Sequence, residues 1–291
     1  MGLRIRTNVS SLTAQRFAEN NSNEMQQSLE KLSSGYRINK SADDAAGLAI
    51  SESIRAKVRG LNQAKRNAND AVSMVQVAEG SMNEIGNILV RMRELTIQSA
   101  SDTIGDKERS YLNREYTQLV DEIDRIAGTS EFNTLKLFDE EAKDQLVIQV
   151  GVNGTDVEEN RDTITLNLEG LKEINVDGLN LGRDEEIGPN EVDGSIDRDT
   201  IVSKLNDIDT AINKVSSERA TLGAVQSRLN TAVNNLSVQN ENLTTANSRI
   251  RDVDFAQESS KLTQSRVLQA SSLAVLTQAN QRPEIALQLL R

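Results

Sequence analysis

Few side chains in this sequence are placed to bind or transform a ligand. Asp193, Asp197 and Asp199 lie close to Gly194, a spacing that suggests the opening of a calcium loop. A loop starting at Asp193 would need glycine at its sixth position and a bidentate glutamate at its twelfth. Arg198 and Lys204 stand there instead, so no metal site is expected. The chain has neither His nor Cys, which removes imidazole bases, thiolate nucleophiles, disulfides and sulfur-ligated metals. The remaining acids alternate with Lys and Arg in the manner of solvated helix faces, not of two carboxylates converging in a cleft. We therefore expect no enzymatic activity and no cofactor. Asn8-Val9-Ser10 and Asn242-Leu243-Thr244 have the N-glycosylation spacing, but both fall on segments that read as helix rather than exposed loop.

Partners are narrowed by charge. With 44 acidic against 33 basic side chains and a net charge of −11, the chain repels phosphate backbones and anionic lipid surfaces. No nucleic acid and no membrane partner is expected. Arg4 and Arg6 precede no apolar run, so the amino terminus does not read as a secretory signal.

The elements that must position these residues are helices. Aromatics make up only 2% of the chain and Pro189 and Pro283 are the only two prolines, so small aliphatic side chains carry the packing and little interrupts a helix. Apolar residues at Val9, Leu12, Phe17, Met25, Leu29 and Leu32 mark a weakly amphipathic helix to about Asn39, with a turn at Ser33-Ser34-Gly35. Ser41 reads as the cap of the next helix, with Asp43 and Asp44 near its positive end. A seven-residue rhythm then runs through Ile54, Leu61, Ala68, Val75, Met82 and Leu89, accompanied by Ala64, Ala71, Ala78, Ile85 and Met92. Such a narrow seam is meant for another helix. Leu112, Tyr116, Leu119, Ile123 and Ile126 share one face of a further helix ending at Gly128. From 145 to 168 the period changes to two, with Leu146, Ile148 and Val150 followed by Ile164, Leu166 and Leu168 around Asn153-Gly154, which reads as a β-hairpin.

Residues 169–199, acidic and containing Pro189, read as a short polar connection. The second seam, Ile201, Ile208, Val215, Leu222, Leu229, Leu236, Leu243 and Ile250, is strict, and Leu205, Ile212 and Val233 widen it. A last helix from Phe255 passes through Leu262, Val267, Leu268, Leu273 and Leu276 and is expected to end near Asn280, before Pro283.

The two central rods can satisfy each other, but the terminal helices have sparse apolar stripes that bury too little in one hairpin to offset ordering at ~1–2 kcal/mol per residue. They are expected to be completed by neighbouring copies, and a contact between two different surfaces of identical chains propagates into an open polymer unless its rotation closes a ring. Heptads alone more often mark an ordinary dimeric coiled coil than a filament.

The motifs decide between these. Leu32-Ser33-Ser34-Gly35-Tyr36-Arg37-Ile38-Asn39 with Asp43-Asp44-Ala45-Ala46-Gly47-Leu48-Ala49-Ile50 resembles the amino-terminal signature of bacterial flagellins. Arg66-Asn67-Ala68-Asn69-Asp70, Arg93-Glu94-Leu95 and Phe132-Asn133 follow in the order of that family, and Ser248-Arg249-Ile250-Arg251-Asp252-Val253-Asp254-Phe255-Ala256 with Gln278-Ala279-Asn280-Gln281 is similar to its carboxy-terminal signature. Thr134 stands where many relatives have Gly, and Ala45 where the hook-filament junction protein typically has Pro.

The resemblance implies a mainly α fold, an elongated long-helix coiled-coil bundle built from both termini with a small β-hairpin region. Residues 1–40 and 255–291 would form the filament core, 41–168 and 200–254 a rod domain, and 169–199 would replace the variable outer domains. It also implies a secreted, extracellular filament subunit used for swimming. Its partners would be copies of itself, an export chaperone and the type III export apparatus, and the hook-filament junction and filament cap proteins. Val9, Leu12, Phe17, Met25, Leu29, Leu32, Phe255, Leu262, Leu268, Leu273 and Leu276 are the expected polymer interface. Arg91, Leu95 and Glu115 match positions through which a vertebrate Toll-like receptor recognises the family.

Overall fold

A computed structural model describes residues 7–139, 143–153, 162–182, 187–188 and 198–288, with side chains described as far as residue 281. In chain order the elements are α1 (Val9–Ser34), α2 (Ala45–Ser99), α3 (Asp106–Thr129), β1 (Glu131–Phe132), β2 (Leu135–Lys136), β3 (Gln145–Gln149), β4 (Thr163–Asn167), α4 (Glu169–Lys172), α5 (Arg198–Arg251) and α6 (Phe255–Gln288). They divide into two compact units, Met1–Val58 with Glu241–Arg291, and Arg59–Asn240. The first therefore takes the start of α2 and the end of α5 together with the terminal helices, a division inside the rods where the sequence reading drew one at 40/41 and 254/255.

The central unit is built on the two heptad seams. Leu61, Val75, Met82 and Leu89 of α2 and Ile208, Val215, Leu222, Leu229 and Leu236 of α5 are buried, and most join one core with Tyr116, Val120, Ile123 and Ala127 of α3. Asn240 Nδ2 donates to Asn62 Oδ1 (3.1 Å) and Arg93 Nε to Asp209 Oδ1 (2.6 Å), which fixes α2 and α5 antiparallel. The arginine holds the Asp209 carboxyl below its usual range. Beyond this unit the same seams thin out: Ile54, Leu243 and Ile250 are only half-buried, because the core formed with α3 and the β-strands belongs to the central unit.

The β-hairpin forms as its alternation predicts. Leu146 faces Leu166 and Ile148 faces Ile164 across an antiparallel pair, although Gly154, part of the expected turn, lies outside the described residues. A second two-stranded pair, β1–β2, has no alternating signal. Its turn residues Asn133 (φ 48°) and Thr134 (φ 68°) are both left-handed, the geometry a two-residue hairpin loop requires. Thr134 is the position at which the resemblance implies Gly, and a β-branched residue with a left-handed backbone is strained there.

Residues 169–182, 187 and 188 are not a polar spacer. Leu171, Ile174, Val176, Leu179, Leu181 and Ile187 are buried in the central core. Polar side chains seat the segment: Lys214 Nζ donates to Gly178 O (2.8 Å) and pairs with Glu173 (2.6 Å), Ser99 Oγ donates to Ile187 O (2.5 Å), and Asn113 Oδ1 accepts from Ile187 N (3.0 Å). Acids give the segment its polar composition, but the apolar residues between them are the ones that join the core. Asp193 and Asp197 lie outside the described residues.

In the terminal unit, α1 and α6 run antiparallel with backbones within 8 Å, a closeness set by the side chains between them. Ala14, Ser28, Leu262, Ser265 and Ala279 are buried there, and Asn21 Nδ2 donates to Ser272 Oγ (2.9 Å). Helix α6 does not stop near Asn280; it continues through Pro283 to Gln288. Proline lacks the N–H that the Ala279 carbonyl would accept. Asn8 Nδ2 donates to that carbonyl instead (2.8 Å), while Asn8 Oδ1 accepts from Ser11 N and caps α1.

Candidate self-assembly surface

Chain reversals position the terminal helices. Gly35 (φ 75°) ends α1, its N–H donating to Lys31 O. Its own carbonyl accepts from Val253 N (3.0 Å), Arg37 N donates to Arg251 O (2.7 Å), and Tyr36 bridges to Asp252. The α1–α2 and α5–α6 turns, which carry the two signature motifs, are thus hydrogen-bonded to one another. Arg251 completes the joint: its guanidinium lies 4.6 Å from the Tyr36 ring centroid and 2.6 Å from Glu52, whose carboxyl it holds below the usual range.

The helix cap here is not Ser41. Asp44 Oδ1 accepts from Gly47 N (2.8 Å) at the start of α2, and Asp43 Oδ2 accepts from Asn39 N and Lys40 N (both 3.0 Å), holding the preceding turn. Each acid of the pair therefore satisfies a different stretch of backbone. Gly47 leaves room for this arrangement, since a Cβ there would meet the Asp44 carboxylate and sit 2.8 Å from Ile38 Cδ1. Ala45 occupies the first helical position, which proline also fits.

Large apolar side chains remain outward on the hairpin among the polar ones. Val9, Leu12, Phe17, Leu29, Phe255, Leu268 and Leu273 are between 41 and 66% exposed, and Met25, Leu32 and Leu276 are half-buried. Leu262 departs from the expectation: it is buried inside the hairpin, where it packs the α1–α6 contact and is not offered outward. Apart from Leu262, the inner seam consists of small residues, which apolar spacing does not mark. Ala14, Asn21 and Ser28 repeat every seven positions, as do Ser265, Ser272 and Ala279, and counting small residues as seam positions would have found both.

In the central unit, Arg91 donates to Glu115 through Nη2 (2.7 Å) and Nε (3.0 Å) and reaches Glu94 through Nη1 (3.1 Å). The two acids hold its guanidinium above its usual range. Leu95, expected alongside them, is 1% exposed and belongs to the core. The structure brings Arg91 and Glu115 together on the surface and turns Leu95 away, because Leu95 continues the buried face of α2 with Met92.

Long paired helices closed by signature turns, with large apolar side chains left outside a small-residue hairpin, define a mainly α structural protein with an unsatisfied terminal surface. Residues 5–143 match the bacterial flagellin N-terminal helical region and residues 205–290 the bacterial flagellin C-terminal helical region. A flagellin of Halalkalibacterium halodurans is 42% identical, the alignment covering 99% of each chain. A flagellar filament 33 kDa core protein of Treponema phagedenis is 38% identical, again with 99% of each chain covered. Among solved structures, a putative flagellar hook-associated protein from Vibrio parahaemolyticus shares the fold at 15% identity and a TM-score of 0.56, over 72% of this chain and all of that one. The chain belongs to the bacterial flagellin family.

Proposed function

We propose that this chain is the repeating subunit of a bacterial flagellar filament, the extracellular propeller of a swimming cell, and that its terminal hairpin is completed by other copies. One observation carries the reading: α1 and α6 use small residues against each other and leave Phe17, Phe255, Leu268 and Leu273 in water. Each such side chain, once withdrawn, contributes ~1.5–3 kcal/mol. In this reading residues 1–40 and 255–291 form the filament core and the rods stand outside it.

The same surface calls for protection before assembly. We infer from membership of the family that a chaperone covers the Leu268–Leu273 face of α6, that the chain is exported through the type III apparatus, and that it is held between junction and cap proteins. If an innate receptor binds the folded subunit, it reads Arg91 and Glu115, and Leu95 contributes by packing. No helix of the described residues is long and apolar enough to cross a membrane.

Truncation tests the reading. A chain ending at Asp254 retains both rods and is expected to stay monomeric by sedimentation, whereas the full chain elongates added filament seeds. Filaments of the truncated chain under the electron microscope would overturn the assignment of the terminal surface.

A further inference from the structure

We propose that Phe255 of one copy seats in the groove between α1 and α6 of another copy, and that this contact repeats along the assembly; the inference rests on the filament reading above. The groove is open, about 370 Å³, and lined by Phe17 and Asn21 of α1 and by Leu268, Ser271, Ser272 and Val275 of α6. Small and polar side chains leave this space: Ala14 lines it, and Asn21 and Ser272, also in its lining, are hydrogen-bonded to each other. Phe17 and Val275 are each 54% exposed, so the walls are apolar surface left to water.

The occupant has to be large, apolar and supplied by another molecule. Phe255 is the most exposed of the large apolar side chains described. It sits on the first turn of the same helix that forms one wall, thirteen residues before Leu268, a separation of roughly 20 Å along a helix. It therefore cannot enter its own groove. A benzyl group from another copy would meet the Phe17 ring, a pairing that adds to simple area burial.

Charge favours the same partner. Phe255 is flanked by the exposed acids Asp252 and Asp254, and the Arg16 guanidinium stands 5.9 Å from the Phe17 ring centroid at the groove. Acids beside the knob thus approach a cation beside the groove, which selects the orientation of the encounter. Knob and groove lie at different heights on one helix, so the contact joins unlike surfaces. It displaces each copy from the last and leaves a free knob at one end and a free groove at the other.

The experiment places the photoreactive aromatic p-benzoylphenylalanine at position 255, copolymerises that variant with excess wild-type chain on filament seeds, and maps the adducts by mass spectrometry after irradiation. The expected adducts join position 255 of one copy to residues 14–21 or 268–275 of another, and appear in pelleted filament but not in dilute monomer. Adducts elsewhere on the neighbour, or equally in dilute monomer, would overturn the contact. In parallel, Phe255→Ala is expected to raise the monomer concentration in equilibrium with filament at least about tenfold, and Phe255→Leu less. An unchanged value for the alanine variant, with helicity retained, also overturns it. Wild-type chain that never forms filaments sinks the filament reading itself, whereas wild-type filaments cross-linked elsewhere refute only the groove.

Discussion

Asn8 joins the two ends of the terminal hairpin, and its contribution can be separated into parts. Its Oδ1 caps α1 through Ser11 N (3.1 Å), and its Nδ2 supplies the Ala279 carbonyl with the donor that Pro283 lacks (2.8 Å). Replacing a capping Asn by Ala costs ~1 kcal/mol. Leaving a part-buried carbonyl without its partner costs about another 1 kcal/mol, the low end of the range because water reaches this end of the hairpin. Asn8→Ala should therefore cost about 2 kcal/mol in the wild-type background. Pro283→Ala restores the missing N–H, so the Ala279 carbonyl no longer depends on Asn8, and there the same substitution should cost only the cap, ~1 kcal/mol. The double-mutant cycle thus has an expected coupling of about 1 kcal/mol. Amide hydrogen exchange of residues 276–284 and of the first turn of α1, measured in assembled filament, reads both terms. Equal costs in the two backgrounds would refute the assignment of Asn8 as the substitute donor.

Other consequences follow from the central unit. Thr134→Gly relieves a left-handed β-branched residue; the gain of ~1–2 kcal/mol less the entropy glycine adds to the unfolded chain leaves about 0.5–1 kcal/mol, seen as a melting temperature raised by about 1–4 °C. Leu229→Ala, at a fully buried seam position, should destabilise the monomer by about 2–5 kcal/mol in denaturant titration, whereas Leu273→Ala should leave monomer stability nearly unchanged and impair seeded elongation. The carboxyls of Asp209, Glu173 and Glu52 are held below their usual range by hydrogen bonds from Arg93, Lys214 and Arg251. Their stabilisation is therefore present above about pH 4 and lost as pH falls through the depressed folded values. Asp209→Asn should consequently be less stable than wild type at neutral pH, with the gap closing in acid.

Much of this architecture was legible in the order of residues. Heptads at Leu61 to Leu89 and Ile208 to Leu236, and alternation at Leu146–Ile148 and Ile164–Leu166, specify helix seams and a hairpin because side-chain direction repeats with a fixed local period and large apolar groups must leave water. The signature motifs identified the family, and the exposed stripe of the terminal helices was readable from the same spacing. Tertiary packing decided the remainder. Leu262 went inside the hairpin and Leu95 into the core, although neither differs in hydropathy from leucines that stayed outside or were expected to. The closely packed α1–α6 seam selects alanine, serine and asparagine, which hydropathy scarcely registers, since helix separation is set by side-chain size. The Asp44 cap is local, three residues from its partner Gly47 N, but whether an amide replaces the N–H missing at Pro283, as Asn8 does, depends on the fold bringing together groups 271 residues apart. That proximity exists only once the two ends of the chain lie side by side.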